Sequence, residues 1–588
     1  MLVADKTFFK PQSSILHERE ILPNFWVPFE RFHLKDYLHI LKYLKRRLKH
    51  LIARGVPKVY TTVAAAPKLV FRFSGAYRSN FGKLKVPYHP TLGPPILSII
   101  ICPSFNRPSL QALSGINVAT DPDCQSVRSD DSFCYLLPQV GDSEEVERYE
   151  KGGFHTVHLG DLYNDGRYRI VHKIGSGGYS TAWLAHDSQL STWVALKIVV
   201  ADKSAVFEEK VKMCHDFTSA WADGRIVTYS HLFNIDGPNG HHLCLVLPFL
   251  GPSAYTMSNF LRSRIHPKLV RSVISQIART VADLHSHGLC HGDITPSNIV
   301  FRLRNLEHLD DKGIYRLFGE PRTAPLETES GEVPGLEAPR YIVGYLDFMA
   351  SGEDLIRDEV CLIDFDQAFL ASKPPQKVLG TPPGFLAPEV AVGIPAGPAS
   401  DVWALTSTLL HLRSGTSPFA EFAMDAPADQ MVPIAQYLGP LPNSWGDPIF
   451  DKDGFPIKDG TAGVPLSDFL RPEKLSLRDA INQIFDRPPD SLHCQNPPVR
   501  PQILREDPYP PCYETKFWRP GSINIDGVYL RGYNDKVDEI IKSLPKISKH
   551  EADLLYDLVS KVFVYEPEKR PSAEDVLRHP WFQFQDDA

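Results

Sequence analysis

The sequence predicts an α+β protein of two lobes, a small β-rich one followed by a larger, mainly helical one. Three observations predict it. A glycine-rich turn, Gly175-Ser176-Gly177-Gly178-Tyr179-Ser180, lies between two short runs of strand character. A further strand-like run, Thr192-Trp193-Val194-Ala195-Leu196-Lys197, follows it. Beyond Gly251 the apolar residues recur at helical spacing instead, most clearly over residues 268–286 and 551–563. A chain of 588 residues is long enough to bury more than one core.

Taken in order, residues 1–140 form an N-terminal extension to which the sequence assigns no role. Within it, residues 32–54 are basic and apolar at helical spacing, with Lys42, Lys45, Arg46, Arg47 and Lys49. They read as a surface helix, with a membrane-surface or partner helix as the alternative. Residues 103–143 are rich in Ser, Pro, Asp and Gly and read as a linker, and part of the extension is expected to be disordered. The small lobe is placed at 141–250, with a helix expected near 205–217 and a buried strand at 244–249. The large lobe is placed at 251–588. Insertions at 303–359 and 421–550 interrupt it, the second irregular and carrying Pro clusters at 488–511.

Composition narrows the class. With 43% hydrophobic and 23% charged residues the bulk reads as soluble and globular. The 63 Lys and Arg against 70 Asp and Glu leave a net charge of -7, which argues against direct nucleic-acid binding. The nine cysteines are odd in number and form no CxxC pair, so neither a zinc site nor a disulfide framework is indicated. A reducing compartment, cytoplasmic and/or nuclear, is expected. The apolar run 96–102 is far shorter than the roughly 20 residues a membrane helix needs, and with Asp5, Glu18 and Glu20 early in the chain and no apolar h-region, no secretory leader is expected.

The chemistry concentrates in His291-Gly292-Asp293-Ile294-Thr295-Pro296-Ser297-Asn298. An Asp and an Asn at this spacing suit phosphoryl transfer, the Asp293 carboxylate accepting a hydroxyl proton and Asn298 holding a metal ion. The glycines Gly175, Gly177 and Gly178 allow backbone N–H groups to approach phosphate without Cβ obstruction. Lys197, at the end of Val194-Ala195-Leu196-Lys197, is placed to neutralise phosphates. Glu208 and Glu209 are both candidates for its partner, and spacing favours Glu209; the two point about 100° apart on a helix, so only one can face Lys197. Asp364, in Asp364-Phe365-Asp366, follows the apolar Cys361-Leu362-Ile363. With Asn298 it offers the hard oxygen ligands that suit Mg²⁺.

Three further marks appear in order. Gly380-Thr381-Pro382-Pro383-Gly384-Phe385-Leu386-Ala387-Pro388-Glu389 reads as a segment that presents a substrate. Ser400-Asp401-Val402-Trp403 opens an apolar helix, with Asp401 expected to tie down the loop at 291–298. Pro567-Glu568-Lys569-Arg570 precedes His579-Pro580-Trp581-Phe582, and Arg570 is expected to pair with Glu389.

Residues 175–582 carry these motifs in the order of a eukaryotic protein kinase, and the chain resembles that family. More narrowly it resembles the SR-protein kinases, especially fungal members, in Tyr149-Glu150-Lys151-Gly152-Gly153-Phe154-His155, in Ser180-Thr181-Ala182-Trp183-Leu184-Ala185, and in the spacer before Asp364. The resemblance implies a bilobal kinase fold, ATP and Mg²⁺ as cofactors, and transfer of phosphate to Ser or Thr of a protein substrate, with Arg/Ser-rich segments as a candidate target. It implies an adenine held by the carbonyl of Pro248 and the N–H of Leu250, beyond the gatekeeper Leu247. A monomer is expected. Acidic Asp447, Asp451, Asp453 and Asp459 are candidates for docking a basic peptide, with a solvated loop as the alternative.

The departures are specific. Gly292 stands where most protein kinases have Arg, so no phosphorylated loop is expected to bind there. Thr295 stands where most have Lys, and Asp366 replaces a Gly. These changes keep open a pseudokinase or nucleotide-binding scaffold. A small-molecule phosphotransferase, in which His-Gly-Asp and Asp-Phe-Asp are ordinary, is less consistent with the Ala387-Pro388-Glu389 segment and with Asp401.

Overall fold

The glycine-rich turn does what its composition predicts, joining two long antiparallel strands. Here β2 is Tyr168–Gly177 and β3 is Ser180–Asp187, paired so that Gly177 faces Ser180. The computed structural model describes residues 134–218, 224–258, 264–350, 353–417, 419, 426–457, 463–486 and 544–585. It also describes six strands, Val59–Ala64, Leu69–Phe71, Ile96–Ile101, Phe517–Trp518, Asn524–Ile525 and Val528–Tyr529. The chain divides into two compact units, Met1–Val127 and Arg128–Ala588. In the first, Val59–Ala64 pairs antiparallel with both Leu69–Phe71 and Ile96–Ile101. The expected basic helix at 32–54 lies outside the described residues. Among the described residues no helix is long and apolar enough to cross a membrane.

In the second unit a six-stranded sheet forms the small lobe, in the order β1-β2-β3-β4-β6-β5. Its remaining strands are β1 (Leu162–Tyr163), β4 (Thr192–Val199), β5 (His231–Gly237) and β6 (Gly240–Pro248). Helix α1 (Ala201–Thr218) packs on it through Phe207, which meets Val199, Leu243 and Leu245. Its buried residues, Ser204, Phe207, Cys214 and Thr218, recur at helical spacing.

The large lobe is built on α2 (Pro267–Ser286), whose Val270, Val273, Ile274, Ile277 and Val281 form one buried stripe. The ladder that follows is functionally important. β7 (Ile299–Leu303) pairs antiparallel with β10 (Ile356–Leu362), Ile299 facing Leu362. The N–H of Ile363 donates to the carbonyl of Asn298 at 2.9 Å. Two motif residues far apart in the chain are thereby set side by side. Around them lie α4 (Pro398–Ser414), α5 (Pro427–Leu438) and α6 (Lys549–Val562), with Trp403 of α4 wholly buried against Phe419 and Phe563. Gly415 ends α4 at φ 80°, a left-handed cap that glycine adopts without strain.

Two segments differ from the sequence expectation, and the insertion before Asp364 has elements of its own. The linker read at 103–143 ends earlier, because Tyr135 and Val140 are buried with Phe154 and Ile342 in the small lobe's own core. Within the insertion at 303–359, α3 (Asp311–Phe318) is capped by the Asp310 carboxylate, which accepts from Gly313 N at 2.8 Å. It is followed by the paired strands β8 (Thr323–Pro325) and β9 (Tyr341–Val343). This insertion packs on the small lobe, where Trp193 Nε1 donates to the Leu309 carbonyl at 3.2 Å and Arg169 pairs with Asp311 at 2.9 Å. Finally, the segment read as irregular from 421 contains α5, with Met431 and Ile434 fully buried. The Pro clusters at 488–511 lie outside the described residues.

Candidate active site

The loop at 291–298 is held from below. The Asp401 carboxylate, at the start of α4, accepts from the backbone N–H of His291 at 2.8 Å and of Gly292 at 2.9 Å, and it meets His285 Nε2 at 3.0 Å. Burial opposes the charge on Asp401, but His285 and these N–H groups overcome it and hold the carboxyl below its ordinary range. Gly292 has φ 78°, and a Cβ there would lie 2.7 Å from the carbonyl of Gln367. A larger residue would need both a strained backbone and a shift of that carbonyl. The segment at 380–389 closes over the same point, with Thr381 Oγ1 donating to the Gly292 carbonyl at 2.6 Å and Gly380 N donating to Gln367 Oε1 at 3.3 Å.

Asp293 and Asn298 meet as the spacing predicts. The Asn298 amide Nδ2 donates to Asp293 Oδ2 at 2.7 Å and to the Asp293 carbonyl at 2.9 Å. That leaves Asn298 Oδ1 to face a cation. Asp293 Oδ1 is buried with no protein partner, an acceptor aimed at something the chain does not itself supply. Burial first, and then Asp364, Asp366 and Asp401, push the Asp293 carboxyl up to about 7 against the hydrogen bond from Asn298.

Asp364 is in the left-handed region, at φ 66° and ψ 73°, a conformation that costs a non-glycine residue energy. Lys197 Nζ lies 2.6 Å from Asp364 Oδ1. Burial raises the Asp364 pKa, but the ammonium outweighs it and holds the carboxyl below the usual carboxylate range. Asp366 moves the other way, raised by burial and by the Asp364 charge. Phe365 is buried, edge-on to the His291 ring at 4.6 Å.

Glu209 is not brought to Lys197. It is exposed on the outer face of α1, and Glu208 pairs with Lys212 at 2.6 Å instead. The physical reason is helix register. Phe207 and Cys214 define the buried face, and Glu209 lies about 200° around the helix from Phe207. The residue one turn before Cys214 is Lys210, whose Nζ donates to the Asp366 carbonyl at 2.5 Å. The sequence reading missed Lys210, although counting back one turn from the apolar positions of α1 would have found it.

A nucleotide with a divalent cation fits these residues. A Cβ on Gly175, Gly177 or Gly178 would meet nothing within 4 Å, so the space over the hairpin is open. Asp364 and Asn298 offer hard oxygens from neighbouring backbones, joined by the bond from Ile363 N to the Asn298 carbonyl. Pro248 ends β6 opposite Val194, with its carbonyl and the following Leu250 N–H at the edge where an adenine would pair. The expectation for Arg570 is met: its guanidinium grips Glu389 through two hydrogen bonds of 2.8 and 2.7 Å, both side chains fully buried.

Comparison with known proteins agrees with this geometry. Residues 168–335 and 352–582 match the protein kinase domain family. Among curated relatives, the serine/threonine-protein kinase SKY1 of Saccharomyces cerevisiae is 31% identical over 175 residues, 28% of this chain and 24% of that protein. The human SRSF protein kinase 3 is 36% identical over 169 residues, 27% of this chain and 29% of that protein. The protein kinase dsk1 of Schizosaccharomyces pombe is 28% identical over 177 residues, 28% and 32% respectively. The matched stretch thus spans under a third of each of these relatives. With the family's domain matched across more than half its length, and with the Lys197, Asp293, Asn298 and Asp364 constellation assembled at one site, the chain belongs to the protein kinase family.

Proposed function

We propose that the protein is an ATP- and Mg²⁺-dependent serine/threonine protein kinase. The observation that carries this reading is the joining of two pairs at one site. Asn298 is bonded to Asp293 at 2.7 Å, and Lys197 to Asp364 at 2.6 Å. Bound Mg·ATP supplies the γ-phosphoryl group. Asp293 Oδ1 would accept the proton of the substrate hydroxyl as that oxygen bonds the γ-phosphorus, the bond to the bridging oxygen breaks and ADP leaves. Lys197 would place its charge on the phosphates, and Asp364 and Asn298 would hold the metal through oxygen. Gly175, Gly177 and Gly178 leave the backbone over the phosphates unobstructed, and Pro248 and Leu250 orient the base.

The activation segment supports activity without phosphorylation. Thr381 and Gln367 supply neutral hydrogen bonds where an arginine would otherwise grip a phosphate. A basic, Arg/Ser-rich protein segment is the proposed target, supported by the name of the SRSF kinase relative and by the acidic surface around Asp447 and Asp453. Asp447 and Asp451 also cap their own loop, accepting from Ser467 N at 3.0 Å and from Phe455 N at 2.9 Å. Asp459 lies outside the described residues.

A second reading, a nucleotide-binding scaffold that transfers nothing, is favoured by the cation Lys210 where a carboxylate facing Lys197 was expected. Phosphate incorporation into an Arg/Ser peptide separates the two. The kinase reading requires incorporation into Ser that is lost in Asp293→Asn, and equal incorporation by both proteins would end it.

A further inference from the structure

We propose that Lys210 is a positioning residue for the metal-binding segment. Its bond to the Asp366 carbonyl latches α1 directly to the backbone that carries Asp364. This deepens the kinase reading, on which only its catalytic consequence rests.

The argument starts from the face of α1. Phe207 sets this face against the sheet, and two turns later Cys214 sets it against the large lobe, its Sγ 3.8 Å from the carbonyl of Phe365. Lys210 lies between them and reaches the next carbonyl, that of Asp366, at 2.5 Å. Two successive carbonyls of the Asp364-Phe365-Asp366 turn therefore lie against one helix: that of Phe365 accepts the Ala368 N–H at 3.2 Å with the Cys214 thiol as a long second contact, and that of Asp366 accepts the Lys210 ammonium. An ammonium bonded to a carbonyl is a charge-assisted hydrogen bond, stronger than a neutral one.

The charges around the turn match this arrangement. A helix carboxylate would normally be expected to hold Lys197, and through it Asp364. Here Lys197 bonds Asp364 directly, at 2.6 Å. A carboxylate at position 210 would stand beside the Asp366 carbonyl and carboxyl and be repelled by both, whereas Lys210 meets them as a cation. The second acid, Asp366, is the residue that departs from glycine. The cation on the helix and the added acid on the turn read as one matched exchange. The left-handed Asp364 gives the latch something to hold, since a strained residue persists only where its neighbours fix it.

The test follows amide hydrogen exchange over residues 364–370 in the nucleotide-free protein, alongside turnover. Lys210→Met removes the latch, and exchange is expected to rise about tenfold, as loss of one hydrogen bond to a charged donor implies. Lys210→Arg restores the donor and should exchange as the parent does. Asp366→Asn keeps the carbonyl and should also keep its protection. Should Lys210→Met fail to fold, Lys210→Gln, with a shorter and uncharged arm, carries the same comparison. In turnover, Lys210→Met is expected to lower kcat by about tenfold to a hundredfold with Lys210→Arg close to the parent, the scale of a misplaced catalytic group. Exchange in Lys210→Met equal to the parent's overturns the latch, whatever the turnover. A parent no faster than Asp293→Asn, with exchange behaving as described, would sink the kinase reading and leave the latch standing.

Discussion

The ammonium of Lys197 and the carboxylate of Asp364 form a 2.6 Å ion pair that bridges the strand after the glycine-rich hairpin and the turn after the β7–β10 ladder. One residue belongs to the small lobe and the other to the large lobe, so the pair aligns the phosphate-binding and metal-binding halves of the site. Replacing Lys197 by Ala should leave Asp364 without its cation and lower turnover by roughly 10²–10³, the scale of losing one preorganised electrostatic contact. Single-turnover assays at saturating Mg·ATP check this, and a loss under twofold would remove Lys197 from the mechanism.

Arg570 and Glu389 hold the activation segment to the large lobe. Both side chains are almost wholly removed from water. Arg570→Ala would strand the Glu389 charge in the interior, and a cost of about 3–5 kcal/mol in unfolding free energy is expected. Chemical denaturation measures it. A cost near zero would mean that Glu389 finds another partner or becomes protonated.

Gly292 should resist replacement. Its φ is 78°, and the Gln367 carbonyl lies 2.7 Å from where a Cβ would stand, so Gly292→Arg is expected to cost roughly 1–3 kcal/mol. It should lower activity without making the enzyme depend on phosphorylation. Phosphatase treatment of the parent should leave its rate unchanged, and a lost rate would overturn the account of Thr381 and Gln367 as a neutral clasp.

Acid should weaken the fold through buried histidines. Burial, and then the His242 ring beside it, lowers His155 from its ordinary 6.5 to about 3. Burial lowers His172 and His411 to about 4 each. Such groups stay neutral in the folded chain where the unfolded chain takes up a proton. Their contribution is fully present above pH 6.5 and is lost as pH falls towards 3–4. At pH 5 this amounts to at most about 2 kcal/mol for each histidine. Melting temperature measured from pH 7.5 to 5 should fall, and His155→Gln should fall less steeply. A flat profile for the parent would contradict this.

The contrast between what the sequence reveals and what it conceals has a physical basis. Lys197, Asp293, Asn298, Asp364 and Asp401 were legible because each lies within or just beside a short motif of distinctive residue types, and their order along the chain constrains their roles. Glu209 was misplaced because α1 has two adjacent acids and a weakly marked apolar face, so spacing alone did not fix the helix's rotation. The insertion at 303–359 was marked only as an insertion, its elements unassigned, because α3 is eight residues long and β8 and β9 are three each. Their stability comes from distant partners such as Trp193 and Arg169, which no local pattern announces. The early end of the linker was hidden for the same reason, since Tyr135 and Val140 pack against Ile342 from that insertion.

The central claim is that Asp293 drives phosphoryl transfer to a protein hydroxyl, and one assay tests it most directly. Radiolabelled γ-phosphate from Mg·ATP is followed into an Arg/Ser peptide by the parent and by Asp293→Asn, prepared identically. The account predicts phosphoserine from the parent and a rate lower by roughly 10²–10⁴ in the variant, the range expected for losing a general base. Equal rates from the two proteins, or no transfer from either, would contradict it.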